Sequence, residues 1–234
     1  MFVPGYIFAP RLLHVGFTVA LVGFVLVECL RVFGIGPWGG PIQDFIRKFT
    51  DHRDAGSMVT SHFYLLYGCA LPVWLGGSSV VACLSGVLSL GVADAAASLV
   101  GMRFGRVRWP GTPKTVEGTA GFVLSLLAAT EAVCLLSSSS RPSAASSVGW
   151  VEFLALSTIS GVLEALTEQN DNLVIPLFMY TATHALVNAG GGVLGIVTLR
   201  SALFVAAALA MPHMLLARFT ILKSLGISEP AHIL

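Results

Sequence analysis

An all-α, polytopic transmembrane bundle is the fold class this sequence predicts, and three observations predict it. Charged residues make up 11% of the 234-residue chain against 55% apolar ones, whereas a soluble domain needs roughly 25% charged side chains to cover its surface. Mean hydropathy is +0.84. Apolar windows also recur near 12–34, 58–77, 79–102, 118–137, 149–167, 173–195 and 197–220. Each is close to the roughly 20 helical residues needed to cross a hydrocarbon layer of about 30 Å, giving about seven expected spans. The same composition excludes a disordered tail, a disulfide scaffold and a basic nucleic-acid-binding domain.

The first span has no charge before Arg11 and ends at Glu28 and Arg31 rather than at a small-residue cleavage site, so a removable signal peptide is not expected. Glu28 and Arg31, three residues apart, read as a local interfacial pair. Residues 35–57 are rich in Gly and Pro and then densely charged. Their Asp51, His52, Arg53, Asp54 and Ser57, with His62, suit either a juxtamembrane turn capping the second span or a polar site. A tight hairpin is expected at Gly76–Ser79. The four cysteines lie in apolar runs without metal-binding spacing and read as small hydrophobes.

The third span carries Asp94, and an ionised carboxylate at the centre of a membrane helix costs about 2.5–3.5 kcal/mol on insertion scales. At helical spacing Ser98, Gly101 and Gly105 share its face. Two readings stay open for this strip: close helix packing through the glycines, or a functional carboxylate under a small-residue surface. The following loop, RFGRVRWPGTPKTVE at 103–117, is basic, which places it on the cytosolic side. Arg103, Arg106, Arg108 and Lys114 suit phosphate oxygens, Gly105, Gly111 and Gly118 allow backbone approach, and Asp94 and Glu117 flank them as potential Mg²⁺ ligands. The spacing is not that of a P-loop, and a loop that merely touches lipid headgroups is the alternative.

The 138–149 segment is a low-complexity Ser run on the opposite side. Counting spans returns residues 167–172 to the cytosolic face beside 44–57 and 103–117. There Glu164, Glu168 and Asp171 follow one another at helical steps, with Asn170 and Asn172 adjacent; a metal, a polar substrate and a plain helix cap are all compatible. His184, Asn188 and the glycines at 189–192 blur the sixth span.

These residues carry a resemblance. Asp94-x-x-Ala97-x-x-x-Gly101-x-x-x-Gly105, then Arg108-Trp109-Pro110-Gly111-Thr112-x-Lys114-Thr115-x-Glu117-Gly118-Thr119, resembles the CTP-using polyprenol kinase family, dolichol kinases in particular. Residues 51–75 and 164–177 are similar to segments of the same family, in the same order. The resemblance covers residues 1–180 and implies the C-terminal catalytic part of such enzymes, in a chain shortened at its N-terminus. Residues 181–234 are expected to add one or two C-terminal membrane segments of unassigned role.

What the resemblance implies is transfer of the γ-phosphoryl group of CTP to dolichol in the endoplasmic reticulum membrane, giving dolichyl phosphate for protein glycosylation. It maps the nucleotide-binding segment onto Arg103, Gly105, Arg106, Val107, Arg108, Trp109, Pro110, Gly111, Thr112, Pro113, Lys114, Thr115, Val116, Glu117, Gly118, Thr119 and Ala120. Asp94, Lys114, Glu117, Asp171 and Asn172 fall at catalytic motif positions, with Asp94 and Asp171 expected to hold Mg²⁺ or another divalent cation. The alternatives are a cytidylyltransferase resembling CDP-diacylglycerol synthase, a diacylglycerol or phytol kinase, and a non-catalytic transporter or scaffold.

Overall fold

A computed structural model describes residues 2–46, 60–138, 150–167 and 171–188. Among them the chain is helical: α1 (Phe2–Phe8), α2 (Pro10–Val32), a 3₁₀ turn (Gly36–Trp38), α3 (Gly39–Ile46), α4 (Thr60–Leu75) and α5 (Val80–Cys83) come first. A π-helical stretch (Val87–Asp94) then runs into α6 (Ala95–Phe104), followed by α7 (Val116–Ser138), α8 (Trp150–Leu166) and α9 (Asp171–Asn188). The all-α expectation therefore holds. Among the described residues three helical stretches are long and apolar enough to cross a membrane: Pro10–Val32, Val87–Phe104 and Val116–Ser137. Helices α4, α8 and α9 coincide with three more of the expected windows, while the window at 197–220, the Ser run from 139 onward and the loop at 47–59 lie outside the described residues.

The expected hairpin is present, with Gly76 and Gly77 at φ +67° and +137°, values that a Cβ disfavours. It turns α4 back antiparallel into α5 and α6, so the N-terminus of α4 and the C-terminus of α6 share one end of the bundle. The core between them holds Leu84, Leu88, Phe122, Leu126, Leu156, Ile175 and Met179, all fully buried. Much of α2 is instead exposed through Leu12, Val15, Val19, Val22 and Leu26, as an apolar solvent allows. At its end Arg31 pairs with the buried Glu28 and also donates to Gln43 of α3 at 2.6 Å, which bears out the expected pair.

Two prolines set the approach of α4, α9 and the π-helical stretch. Proline lacks the N–H that would bond the carbonyl four residues earlier, so Pro72 in α4 and Pro176 in α9 release the carbonyls of Gly68 and Asn172. Each released oxygen lies over a glycine: a Cβ added to Gly86 would overlap the Gly68 carbonyl, and one added to Gly68 the Asn172 carbonyl. This fixes the start of α9, with Asn172, against α4.

Candidate phosphate-binding pocket at the end of the bundle

The basic loop is short and ordered by its own hydrogen bonds. Residues 107–116 form a small antiparallel hairpin: Val116 N–H donates to Val107 O at 2.8 Å and Trp109 N–H to Lys114 O at 3.0 Å, around a bridge between Arg108 and Thr115. Gly111, at φ +79°, makes the turn after Pro110, and Thr112 receives the Lys114 N–H on its hydroxyl at 3.1 Å. Trp109 anchors the hairpin to α7 by donating from Nε1 to Thr119 Oγ1 at 2.9 Å. Thr115 caps α7, its Oγ1 accepting the Gly118 N–H at 3.1 Å, an N-cap to N3 bond.

The small residues of α6 and α7 let the two helices touch. A Cβ on Gly105 would stand 2.7 Å from Thr115 Cγ2, and one on Gly118 3.0 Å from the Ala97 carbonyl oxygen. Gly101 faces the same contact, 3.0 Å from Thr115 Oγ1 and 3.7 Å from Gly118 Cα by the same construction. The packing reading of the glycine strip is therefore realised, and it coexists with a site. The same strip of α6, from Asp94 through Ala97, Ser98, Gly101 and Met102 to Gly105, lines one wall of a cavity of about 680 Å³. At 1.5 Å per residue the wall is about 16 Å long, so the cavity reaches from the hairpin well down the apolar helix.

Arg108, Pro113, Lys114, Thr115, Gly118 and Thr119 form the second wall, and Glu164, Asp171 and Asn172 the third. Lys114 joins the last two. Its Nζ lies 2.7 Å from Glu164 Oε1 and 3.2 Å from Asp171 Oδ2, and it also donates to the carbonyls of Glu164 and Thr167 at the C-terminal end of α8. Those carbonyls lie at the end of a helix that has run out of N–H donors and carries partial negative charge, so an ammonium group is a natural cap. Asp171 begins α9 at the oppositely charged end and accepts the Asn172 N–H at 2.9 Å. Asp171 thus stands in the first turn of α9 and also on the cavity wall.

Of the residues expected from sequence, the cavity brings together Asp94, Gly105, Arg108, Pro113, Lys114, Thr115, Gly118, Thr119, Asp171 and Asn172. It leaves out Arg103, Arg106, Val107, Trp109, Pro110, Gly111, Thr112, Val116, Glu117 and Ala120. Arg103 instead places its guanidinium 5.9 Å from the centre of the Phe104 ring. Glu117 turns to the hairpin, both carboxylate oxygens accepting the Val107 N–H at 3.2 Å, a loop-bracing position away from the cavity wall. The expected helical run Glu164–Glu168–Asp171 is broken: α8 stops at Leu166 and α9 starts at Asp171, so Glu164 and Asp171 meet across a junction through Lys114. Glu164 was legible only as a member of that acidic run, and nothing in sequence links it to a lysine fifty positions earlier.

Three carboxylates and two cationic side chains face this cavity. It is rich in donors and charge but has a slight excess of negative residues, so a triphosphate would require further positive charge. Among the described residues no group of three or more His, Cys, Asp or Glu side chains converges to hold a metal ion. One or two of these carboxylates with phosphate oxygens is the arrangement in which Mg²⁺ is commonly held, and the residues fit a divalent cation in that shared form.

No protein-family model matches the chain, and no solved structure matches it. Among curated proteins it is 43% identical over 190 residues to dolichol kinase EVAN of Arabidopsis thaliana, covering 77% of this chain and 32% of that protein. It is 37% identical over 189 residues to the human dolichol kinase, covering 76% of this chain and 34% of that protein. It is also 35% identical over 192 residues to dolichol kinase sec59 of Schizosaccharomyces pombe, with 80% and 37% covered. The chain is a relative of the dolichol kinases. It spans about a third of the length of these curated relatives, which agrees with the expected likeness to one part of such an enzyme.

Proposed function

We propose that the chain carries the catalytic part of a membrane-embedded, CTP-dependent dolichol kinase, which moves the γ-phosphoryl group of CTP to the terminal hydroxyl of dolichol. The single observation that carries this reading is the cavity in which Lys114 and Arg108 face Asp94, Glu164 and Asp171 along the side of an apolar helix. Phosphoryl transfer needs little covalent participation from a protein, and its barrier is lowered by alignment and charge neutralisation. A cavity that starts at a basic hairpin and continues down a bilayer-spanning helix can meet a water-soluble nucleotide at one end and a lipid alcohol at the other.

In this reading Lys114 and Arg108 neutralise phosphate oxygens, and the backbone around Gly105 and Gly118 lets them approach α6 and α7 closely. Asp94 and Asp171 would hold a divalent cation, whose chemistry is to neutralise charge developing on the phosphates. The acceptor oxygen attacks the γ-phosphorus, the bond to the β-phosphate oxygen breaks, CDP leaves, and the hydroxyl proton passes to a cavity carboxylate. The basic hairpin faces the cytosol by its Arg and Lys content. The membrane is that of the endoplasmic reticulum, where the product serves protein glycosylation.

Membranes free of background activity, containing the chain and supplied with γ-labelled CTP, Mg²⁺ and dolichol, test this. Labelled dolichyl phosphate with release of CDP is expected. Release of pyrophosphate instead means cytidylyl transfer. Label that enters only diacylglycerol or phytol moves the assignment to those acceptors.

A further inference from the structure

Lys114 is the residue expected to meet phosphate, yet four acceptors surround its three N–H bonds. They are unequal. Glu164 contributes both its Oε1, at 2.7 Å, and its own carbonyl, and its side chain is 6% exposed. Asp171 is further away, at 3.2 Å, and its side chain is 16% exposed, while the Thr167 carbonyl is at 3.4 Å. An ammonium on a four-carbon stem has many rotamers, and restricting them before a ligand arrives lowers the entropy lost on binding.

We infer that Glu164 is the positioning residue of the pocket: it fixes Lys114 to the end of α8, while Asp171 is the partner that yields to an incoming ligand. The inequality follows from burial. Glu164, desolvated on α8, has Lys114 as its only ion-pair partner among the described contacts, so separating the pair leaves a buried charge uncompensated. Asp171 also lines the cavity and is the more exposed of the two carboxylates, so water or a cation can replace the ammonium there. Lys114 can therefore turn one N–H toward a phosphate by releasing Asp171 without leaving Glu164. The consequence for phosphate binding rests on the proposed kinase reading; the positioning itself does not.

The test separates the two. The chain has three lysines, Lys48, Lys114 and Lys223, so reaction of the full-length protein with an amine-directed acylating reagent is resolved by peptide mass spectrometry, with Lys48 and Lys223 as internal references. Glu164→Leu, which removes the acceptor, is expected to raise labelling of Lys114 roughly tenfold, and Glu164→Gln, which keeps an oxygen there, to raise it by less than about threefold. Unchanged labelling in Glu164→Leu overturns the inference, whatever the activity of the chain. Should Glu164→Leu fail to fold, Glu164→Asp draws the carboxylate back by one methylene, and labelling equal to wild type counts against the inference in the same way. Where kinase activity is measured, Glu164→Leu is expected to raise KM for CTP roughly tenfold, whereas a purely structural role lowers the folded amount and leaves KM alone.

Discussion

The two ends of the helix bundle handle polar groups in opposite ways. At the hairpin end near Gly76, Tyr180, His184 and Asn188 meet neutral partners, while the buried Trp74 Nε1 and Thr183 Oγ1 have no hydrogen-bond partner among the described residues. Tyr180 donates to the Gly76 carbonyl at 2.8 Å and stacks on His184 at 5.7 Å, and His184 Nδ1 lies 3.0 Å from Asn188 Nδ2. At the other end the charged groups Asp94, Lys114, Glu164 and Asp171 gather around a cavity, with a lysine shared between acceptors from two helices. Neutral hydrogen bonds close a packed end, where each is worth about 0.5–1.5 kcal/mol. Charged groups facing a void leave electrostatic capacity for a ligand. The difference underlies the proposed placing of the chemistry at the charged end and gives ways to break the contrast.

The largest effect is expected from Lys114→Ala, which removes the shared cation and leaves Glu164 buried without a counter-charge. Turnover of CTP and dolichol should become undetectable, and stability should fall by about 3–5 kcal/mol. A combined Lys114→Ala, Glu164→Gln variant should regain stability without activity, read by thermal unfolding in detergent and by lipid labelling. Next is Asp94→Asn, nearly isosteric and without charge: kcat should fall at least about a hundredfold while the protein still inserts in membranes, and near-normal turnover would remove Asp94 from the mechanism.

A smaller effect is expected at the contact of α6 with α7. Gly105→Ala places a methyl group against Thr115 and the Gly101 carbonyl, so the hairpin must shift. A loss of about 1–3 kcal/mol in stability and a raised KM for CTP should accompany it. The smallest effect belongs to the closed end. Tyr180→Phe deletes one neutral hydrogen bond, so a loss of about 1 kcal/mol with unchanged kinetic constants is expected. A change in kcat there would mean that the two ends are coupled.

Much of this arrangement is legible in the residues themselves. The apolar windows mark the helices, because a chain with so few charges can satisfy its backbone in lipid only by coiling. The glycines at Gly76 and Gly77 mark the turn after α4. Asp94 stands out by the cost of a charge inside a span, and Lys114 and Asp171 by their motifs. At Glu117 the structure adds a contact that local spacing does not show. Its position before a glycine suits phosphate or metal, but a nearby free N–H at Val107 takes both its oxygens.

By itself, then, the sequence determined an all-helical chain suited to lipid, a basic loop between two spans and the residue types able to handle phosphate, since each depends on local composition and spacing. Only the tertiary structure decided which of those residues share a cavity. The π-helical stretch that ends at Asp94 turns the register of the span, and the carbonyls released by Pro72 and Pro176 seat α9 against α4. The break between α8 and α9 brings Glu164 and Asp171 to one ammonium. These are contacts between segments dozens of residues apart, set by how close backbones can approach and where buried charge finds a partner, and no local pattern encodes either.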